Sequence, residues 1–177
     1  MTNIQLAKKL VKAFAKHGFT LATAESCTGG LIAKLITDIP GSSAVLCGGC
    51  VTYTNEAKRK VLQIPEAVIE AHTEVSHPCA NAMAENTKTI FDSTFGISTT
   101  GFAGPGGGTE QDPVGTVYIG VSSPLGTHSE RFSAPAGSTR TQVRNAAAKR
   151  ALELVWEEAE AMKSAQAAEK DLFLQNP

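Results

Sequence analysis

The sequence lacks several features that would assign it to a specialised class of protein. No run approaches the roughly 18 consecutive apolar residues of a membrane-spanning helix, and the N-terminus lacks the basic-then-apolar order of a secretory signal. The 16 Lys+Arg and 17 Asp+Glu nearly balance, so the basic excess of a protein held by nucleic-acid phosphates is missing. We therefore expect a cytoplasmic protein with no membrane and no nucleic-acid partner, whose ligand is a small molecule.

Cysteine is scarce and poorly arranged for a disulfide or metal framework. The chain has 4 cysteines in 177 residues, and a chain of this size without a secretory signal is not a disulfide scaffold. Cys47 and Cys50 have the CxxC spacing of a redox pair. However, the strand-like Val51-Thr52-Tyr53 follows them, and the sequence has no second CxxC or closely spaced His pair. We interpret both as small residues of a buried strand, leave redox or metal use as the weaker alternative, and expect no cofactor.

Apolar periodicity predicts helices that alternate with strands. Hydrophobic residues make up 42% of the chain, which together with the mixed charges excludes disorder, and the length of 177 residues suits a single domain. The pattern implies a three-layer α/β/α sandwich with a mixed, mostly parallel sheet of about five to six strands, one of them antiparallel. We assign residues 1–165 to the domain and 166–177 to a C-terminal tail. The predicted strands are Phe19–Glu25, Ser42–Tyr53, Phe95–Thr100, Val114–Val121 and Glu130–Ala134, and the predicted helices begin near Thr2, Gly30, Thr54, Ser76 and Thr139.

Capping signals predict where the first and last helices begin and where the first helix ends. Thr2 with Gln5 and Thr139 with Gln142 have the spacing of the capping box, in which the two side chains satisfy each other's backbone N–H groups. Gly18 provides a stop for the first helix because glycine tolerates the left-handed conformation.

Three motifs fall at or near the carboxyl ends of predicted strands, where ligands bind in sheets of this kind. They are Ser26–Gly30, Tyr53–Lys58 and Thr100–Thr109. We therefore predict one binding site that all three motifs share.

Ser26 lies between the end of the first predicted strand and the start of the next predicted helix. This geometry exposes a hydroxyl and aims the free backbone N–H groups of Cys27, Thr28 and Gly29 at one point. The alternative is that Ser26 or Thr28 merely caps the helix. Glu25, beside them, is either a paired carboxylate or an exposed strand end.

A serine nucleophile needs a group that takes its proton. The histidines do not belong to any strand-end motif, and no Gly-x-Ser-x-Gly elbow is present; they are His17, His72, His77 and His128. Lys58 offers the Ser–Lys variant of triad chemistry, provided that burial lowers its pKa. Tyr53 could relay or orient a proton. The alternative is that Lys58 is an ordinary surface lysine.

The glycine-rich run Gly101–Thr109 is the most unusual segment. Its backbone N–H groups could form an anion-binding nest. It is not a Walker loop, because no lysine follows the glycines, and Thr109 occupies the third glycine position of a dinucleotide fingerprint. A flexible hairpin connection is the alternative. Arg140, at the head of the last helix, is suited to a phosphate.

Five segments, in this order, resemble the CinA C-terminal domain family: Ala24–Leu31, Pro40–Ser43, Tyr53–Lys58, Thr100–Thr109 and Pro113–Val117. The resemblance covers roughly Leu6 to Trp156. Stand-alone members of this family are nicotinamide mononucleotide (NMN) deamidases. The resemblance therefore implies an amidohydrolase that converts NMN to nicotinate mononucleotide and ammonia, with no metal.

The resemblance also implies roles for individual residues. Ser26 would be the nucleophile, Lys58 the general base and Tyr53 a helper, while Thr100 and Arg140 match positions at the substrate site. To these we add Thr28 and Gly29, whose backbone would stabilise an oxyanion, and Gly101 and Gly106, which with Arg140 would hold the ribose phosphate.

Two alternatives and one departure accompany this resemblance. The pocket could bind a pyridine nucleotide without catalysis, or Cys27 could be the nucleophile. The family usually reads Gly-Asp-Arg at the last helix, whereas here Gly137-Ser138-Thr139-Arg140 has an extra residue and no aspartate. The apolar last helix and Leu172–Leu174, which could dock on a neighbour, suggest a homo-oligomer.

Overall fold

Five strands form a single sheet in the computed structural model, which describes residues 1–175 and the side chains of residues 1–168. Their order is β2-β1-β3-β4-β5, and β1 is parallel to both β2 and β3, whereas β4 is antiparallel to β3 and β5. The predicted mixed sheet with one antiparallel strand is thus confirmed. The strands are β1 Leu21–Glu25, β2 Leu46–Val51, β3 Phe95–Gly101, β4 Thr116–Ser123 and β5 Gly126–Ser133.

Helices cover both faces of the sheet. The helices are α1 Asn3–His17, α2 Leu31–Thr37, α3 Asn55–Leu62, α4 Glu66–His72, α5 His77–Ile90 and α6 Arg140–Gln175. Helices α1, α2 and α6 pack together on one face, while α5 lies on the other face with α3 and α4 against it. This arrangement is the three-layer α/β/α sandwich that the alternating pattern predicted.

The core is divided between the two faces. The larger part, under α1 and α6, includes Phe14, Ile97 and Val155, all at most 1% exposed. On the other face α5 lies unusually close to the sheet, because a Cβ on Gly96 or Gly120 would collide with the backbone carbonyls of α5. These two glycines, on β3 and β4, therefore allow α5 to pack closely against the sheet.

The predicted capping signals are confirmed. Thr2 and Gln5 exchange both hydrogen bonds of a capping box, and so do Thr139 and Gln142. Gly18 ends α1 in the left-handed conformation at φ 69°.

The second strand differs from its prediction. Ser42–Ala44 forms a turn of 3-10 helix, and the strand begins only at Leu46. This is an edge strand with alternate residues exposed, so Cys47 and Cys50 do not lie in a buried strand. They point to opposite faces about 10 Å apart, too far for a disulfide, which needs Cα atoms within about 7 Å. All four cysteines are unpaired thiols.

Helices α4 and α6 add to what the sequence predicted. Helix α4 was not predicted, because Pro65 reads as a breaker although it serves here as the residue before the helix. Helix α6 continues beyond residue 165 to Gln175, and the side chains of Leu172–Leu174 lie outside the described residues. In the part of the chain that the structure describes, no helix is both long and apolar enough to cross a membrane.

Candidate active site

The three predicted motifs meet at one edge of the sheet. Because β1, β2 and β3 are parallel to each other, their carboxyl ends lie side by side. A cavity of about 350 Å³ opens there. Its lining comes from the turn after β1, the start of α3, the connection before α5, the end of β3 and the head of α6: Ser26, Cys27, Tyr53, Thr54, Asn55, Lys58, Glu74, Val75, Thr100, Gly101, Phe102, Ala103 and Arg140.

The turn between β1 and α2 is fixed from several sides. The Ser26 N–H donates to the Thr99 carbonyl (2.9 Å), which ties the turn to β3. The hydroxyls of Thr28 and Thr99 lie 2.6 Å apart, and Arg144 donates to the Thr28 carbonyl (2.7 Å). Gly29 adopts a positive φ of 60°. Ser26 is therefore held rigidly beside the end of β3.

Glu25 caps α2. Its carboxylate is buried and accepts hydrogen bonds from the N–H groups of Ile32 (3.1 Å) and Ala33 (2.9 Å), where a negative charge complements the helix dipole. Both interpretations of Glu25 from the sequence are therefore wrong. The alternative that Ser26 or Thr28 caps α2 is also wrong, because Gly30 is the N-cap and no side chain of its own caps it. The Ser26 hydroxyl is available for another purpose.

Lys58 is the partner of that hydroxyl. Its side chain is 1% exposed, and Nζ lies 3.3 Å from Ser26 Oγ and 3.1 Å from the Thr52 carbonyl, to which it donates. Thr54 is the N-cap of α3, and its hydroxyl accepts from the Ala57 N–H. The helix that follows buries Lys58 and Leu62 together. The surface-lysine alternative is therefore wrong.

The surroundings of Lys58 favour its neutral form. Among the described residues, no carboxylate forms an ion pair with it. Burial lowers the pKa of the Lys58 amine below its usual 10.5, and the more distant Cys79, Glu74 and Cys27 oppose this effect. A neutral amine has the lone pair that a base needs, so the arrangement can remove a proton from Ser26.

Cys27 lines the same cavity but is a poor nucleophile. Burial raises the pKa of its thiol to about 12, and only the thiolate attacks efficiently. Burial therefore disfavours Cys27 as a nucleophile, whereas Ser26 Oγ lies 3.3 Å from Lys58 Nζ.

Tyr53 and Arg140 form the rim of the cavity. The Arg140 guanidinium donates to the Tyr53 hydroxyl (2.7 Å) and to the Gly104 carbonyl (2.8 Å), so it joins α6 to both the β2 end and the glycine-rich run. Arg140 lines the cavity despite the extra residue before it, and Gly137 in the preceding segment has a positive φ of 78°. The Tyr53 side chain is 55% exposed and bonds to Arg140 rather than to Ser26 or Lys58.

The end of β3 contributes Thr100 and Gly101 to the lining. The Thr100 hydroxyl donates to the main-chain carbonyl of Glu74 (2.6 Å). A second cavity of about 510 Å³ adjoins the first and shares Glu74, Val75 and Phe102 with it. The glycine-rich run contributes Gly107 to this second cavity.

The structure thus brings together six of the nine residues predicted for the site: Ser26, Lys58, Tyr53, Thr100, Gly101 and Arg140. Thr28, Gly29 and Gly106 do not line the cavity. The Gly29 N–H donates to the Ser26 carbonyl (3.1 Å), so it is not available to an oxyanion, contrary to the prediction. The N–H groups of Cys27 and Thr28 have no backbone acceptor among the described residues.

None of the histidines lines the Ser26 cavity. His77 Nδ1 lies 2.8 Å from the Ser129 hydroxyl, and His72 lines the second cavity. Sequence reasoning missed Glu74, which lies in the connection after the unpredicted α4, so no signal pointed to it. Asn55 was within a recognised motif and could have been found.

Comparison with known proteins matches most of this chain to one family. The model of the CinA C-terminal domain matches residues 3–159. A CinA-like protein of Myxococcus xanthus is 46% identical over 150 residues, which are 84% of this chain and 35% of that protein. The chain spans about a third of the length of the curated relatives it matches.

Solved structures agree with this match. The competence/damage inducible protein CihA of Agrobacterium tumefaciens superposes with a TM-score of 0.84 at 37% identity, covering 89% of this chain and 96% of that one. ComA of Klebsiella pneumoniae gives 0.86 at 29% identity, covering 90% and 98%. The chain belongs to the CinA C-terminal domain family, as the resemblance from Leu6 to Trp156 indicated.

Proposed function

We propose that this protein hydrolyses the carboxamide of NMN to nicotinate mononucleotide and ammonia, with Ser26 as nucleophile and Lys58 as general base. The observation that carries the proposal is the 3.3 Å separation of Lys58 Nζ and Ser26 Oγ at the wall of a cavity. A buried lysine without a carboxylate partner is costly to a fold, and a catalytic base explains it.

In the first half of the reaction, Ser26 Oγ attacks the carboxamide carbon while Lys58 takes the hydroxyl proton. The carbon–nitrogen bond then breaks as Lys58 returns that proton to the leaving nitrogen, and ammonia departs. The product of this half is an ester of nicotinate mononucleotide on Ser26.

In the second half, a water molecule attacks the ester carbon and Lys58 takes the proton of that water. The bond to Ser26 Oγ breaks, and Lys58 returns the proton to Oγ. The Thr52 carbonyl, which accepts an N–H of Lys58 at 3.1 Å, orients the amine during both halves. One lysine therefore acts alternately as base and acid.

The oxyanion of each tetrahedral intermediate needs hydrogen-bond donors. The N–H groups of Cys27 and Thr28 follow Ser26 directly and have no backbone acceptor among the described residues. As oxyanion donors they replace the N–H of Gly29, which the sequence predicted but which already donates to the Ser26 carbonyl.

The phosphate of the nucleotide belongs at the rim. Arg140 is the first residue of α6, and its permanently charged guanidinium carries several N–H donors that can bind a phosphate. The helix N-terminus at the same place also favours an anion. The hydrogen bond from Arg140 makes Tyr53 a positioning residue for the guanidinium. This assignment replaces the proton relay that the sequence suggested.

The test is ammonia release from NMN by the purified protein. We expect turnover by the wild type and a loss on the order of 10³-fold or more in Ser26→Ala, because removing an activated nucleophile removes the covalent route. Ser164→Ala is the matched control, since this exposed serine lies on α6 away from the cavity. Binding of NMN without ammonia release would show a silent nucleotide-binding protein, and full activity of Ser26→Ala would exclude Ser26 as the nucleophile.

A further inference from the structure

Glu74 places an unpartnered carboxylate in the wall of the cavity. Its side chain is half-buried and lines both the Ser26 cavity and the adjoining one. Among the described residues, its carboxylate takes part in neither an ion pair nor a side-chain hydrogen bond. A partly desolvated negative charge without a partner is unfavourable, so a positive group of the ligand would relieve it.

The backbone that carries Glu74 is held firmly. The Thr100 hydroxyl donates to the Glu74 carbonyl (2.6 Å), and the Ser76 hydroxyl donates to the Thr73 carbonyl (3.0 Å). Thr73 has a φ of 67°, a conformation that β-branched residues rarely adopt. A strained residue persists only where its surroundings enforce it, so the fold sets the backbone position from which the Glu74 side chain extends.

The charges of the Ser26 cavity form a simple pattern. Its charged side chains are Lys58, Glu74 and Arg140. With Lys58 neutral, as the proposed reaction requires, one positive charge remains at the rim and one negative charge remains on Glu74. This dipolar pattern fits a ligand that carries an anion and a cation at separate points.

We propose that Glu74 binds the positively charged ring of the substrate and so makes the site selective for cationic aromatic amides over neutral ones. The inference rests on the proposed function. A pyridinium nitrogen substituted by ribose carries a permanent positive charge, and the phosphate of the same nucleotide is negative. Arg140 would hold the phosphate, Glu74 would face the ring, and Ser26 would receive the carboxamide between them.

The test compares NMN with its 1,4-dihydro form, which has the same ribose, phosphate and carboxamide but a neutral ring. Dissociation constants are measured by calorimetry with Ser26→Ala, which cannot turn the ligand over, and with Ser26→Ala/Glu74→Gln. We expect Ser26→Ala to bind NMN roughly tenfold more tightly than the dihydro form, an advantage of about 1.4 kcal/mol. Glu74→Gln should remove most of this advantage and change the affinity for the dihydro form less than about twofold.

The control is Ser26→Ala/Glu70→Gln, because Glu70 is exposed on α4 and lines neither cavity; relative to Ser26→Ala it should leave both affinities unchanged. Equal binding of the two nucleotides by Ser26→Ala would overturn the inference, and so would an equal loss for both nucleotides in Glu74→Gln. Ammonia release by the wild type is measured separately, so failure of the proposed reaction is distinguished from failure of the charge preference.

Discussion

The two ends of the cavity differ sharply in exposure. Ser26 and Lys58 are 8% and 1% exposed at the inner end, whereas Tyr53 is 55% exposed and Arg140 is exposed at the rim. A lysine becomes a base only where burial disfavours its charge, but an arginine stays charged in water and can bind an anion there. Under the proposed function, the buried inner end therefore serves proton transfer and the exposed rim serves recognition of the ligand.

The two ends are also held differently. Backbone hydrogen bonds to the sheet fix Ser26, and the Thr52 carbonyl fixes Lys58. At the rim, Arg140 itself joins Gly104, Tyr53 and α6. Substitutions at the inner end should therefore change kcat, and substitutions at the rim should change KM.

The largest effect is expected from Lys58→Met. The variant keeps the length and apolar stem of the side chain but has no base, so kcat for ammonia release should fall about 10²- to 10⁴-fold. Steady-state kinetics measure this loss. A variant that retains full kcat would contradict the assignment of the base.

The same variant should be more stable than the wild type. Since burial lowers the pKa of Lys58, folding is penalised at pH values below the folded pKa, and the penalty fades as pH rises through that pKa because the unfolded state then binds more protons. Removing this penalty should raise Tm near neutral pH, by about 2–4 °C for each kcal/mol of stability gained, and thermal unfolding measures the increase. Lys60→Met is the control, because Lys60 is exposed and pairs with Glu56, and it should give no such gain.

A smaller effect, on KM, is expected at the rim from Arg140→Met. Loss of charge-assisted hydrogen bonds of about 1.5–3 kcal/mol should raise KM for NMN roughly 10- to 100-fold, with a much smaller change in kcat. Arg140→Lys keeps the charge but not the fork and should recover part of the affinity. A loss confined to kcat would place Arg140 with the inner end instead.

Tyr53→Phe should have the smallest effect. It removes the hydroxyl that accepts from Arg140 at an exposed position, so KM should rise about two- to fivefold and kcat should hardly change. If kcat instead dropped as far as in Lys58→Met, the proton relay suggested by the sequence would be restored.

The sequence predicted the inner end better than the rest of the site because local rules govern it. Strand-to-helix turns and parallel strand ends follow from periodicity, so Ser26 and Lys58 could be placed at one edge before their contact was known. The conformation of the turn between β1 and α2 was harder to predict from the sequence. The burial of Glu25 and the occupied Gly29 N–H depend on where α2 begins, and the sequence offered Ser26 and Thr28 as caps, whereas the N-cap in the structure is Gly30.

The features that were missed depend on contacts between distant segments. Helix α4 follows a proline without a side-chain cap, so no start signal marks it, and the position of Glu74 after it could not be inferred. The exposure of β2 follows from its place at the sheet edge, which strand composition does not determine. The hydrogen bond between Arg140 and Tyr53 spans 87 residues of sequence.

The pH dependence of kcat tests most directly whether a neutral Lys58 is the base. Burial lowers the pKa of Lys58 below 10.5, and only the deprotonated amine accepts the Ser26 proton. We therefore expect kcat to rise with pH through a midpoint below 10.5 and to level off above that midpoint. The residual activity of Lys58→Met should lack this rise. A wild-type kcat that is independent of pH, or that falls as pH increases towards 10.5, would contradict the account.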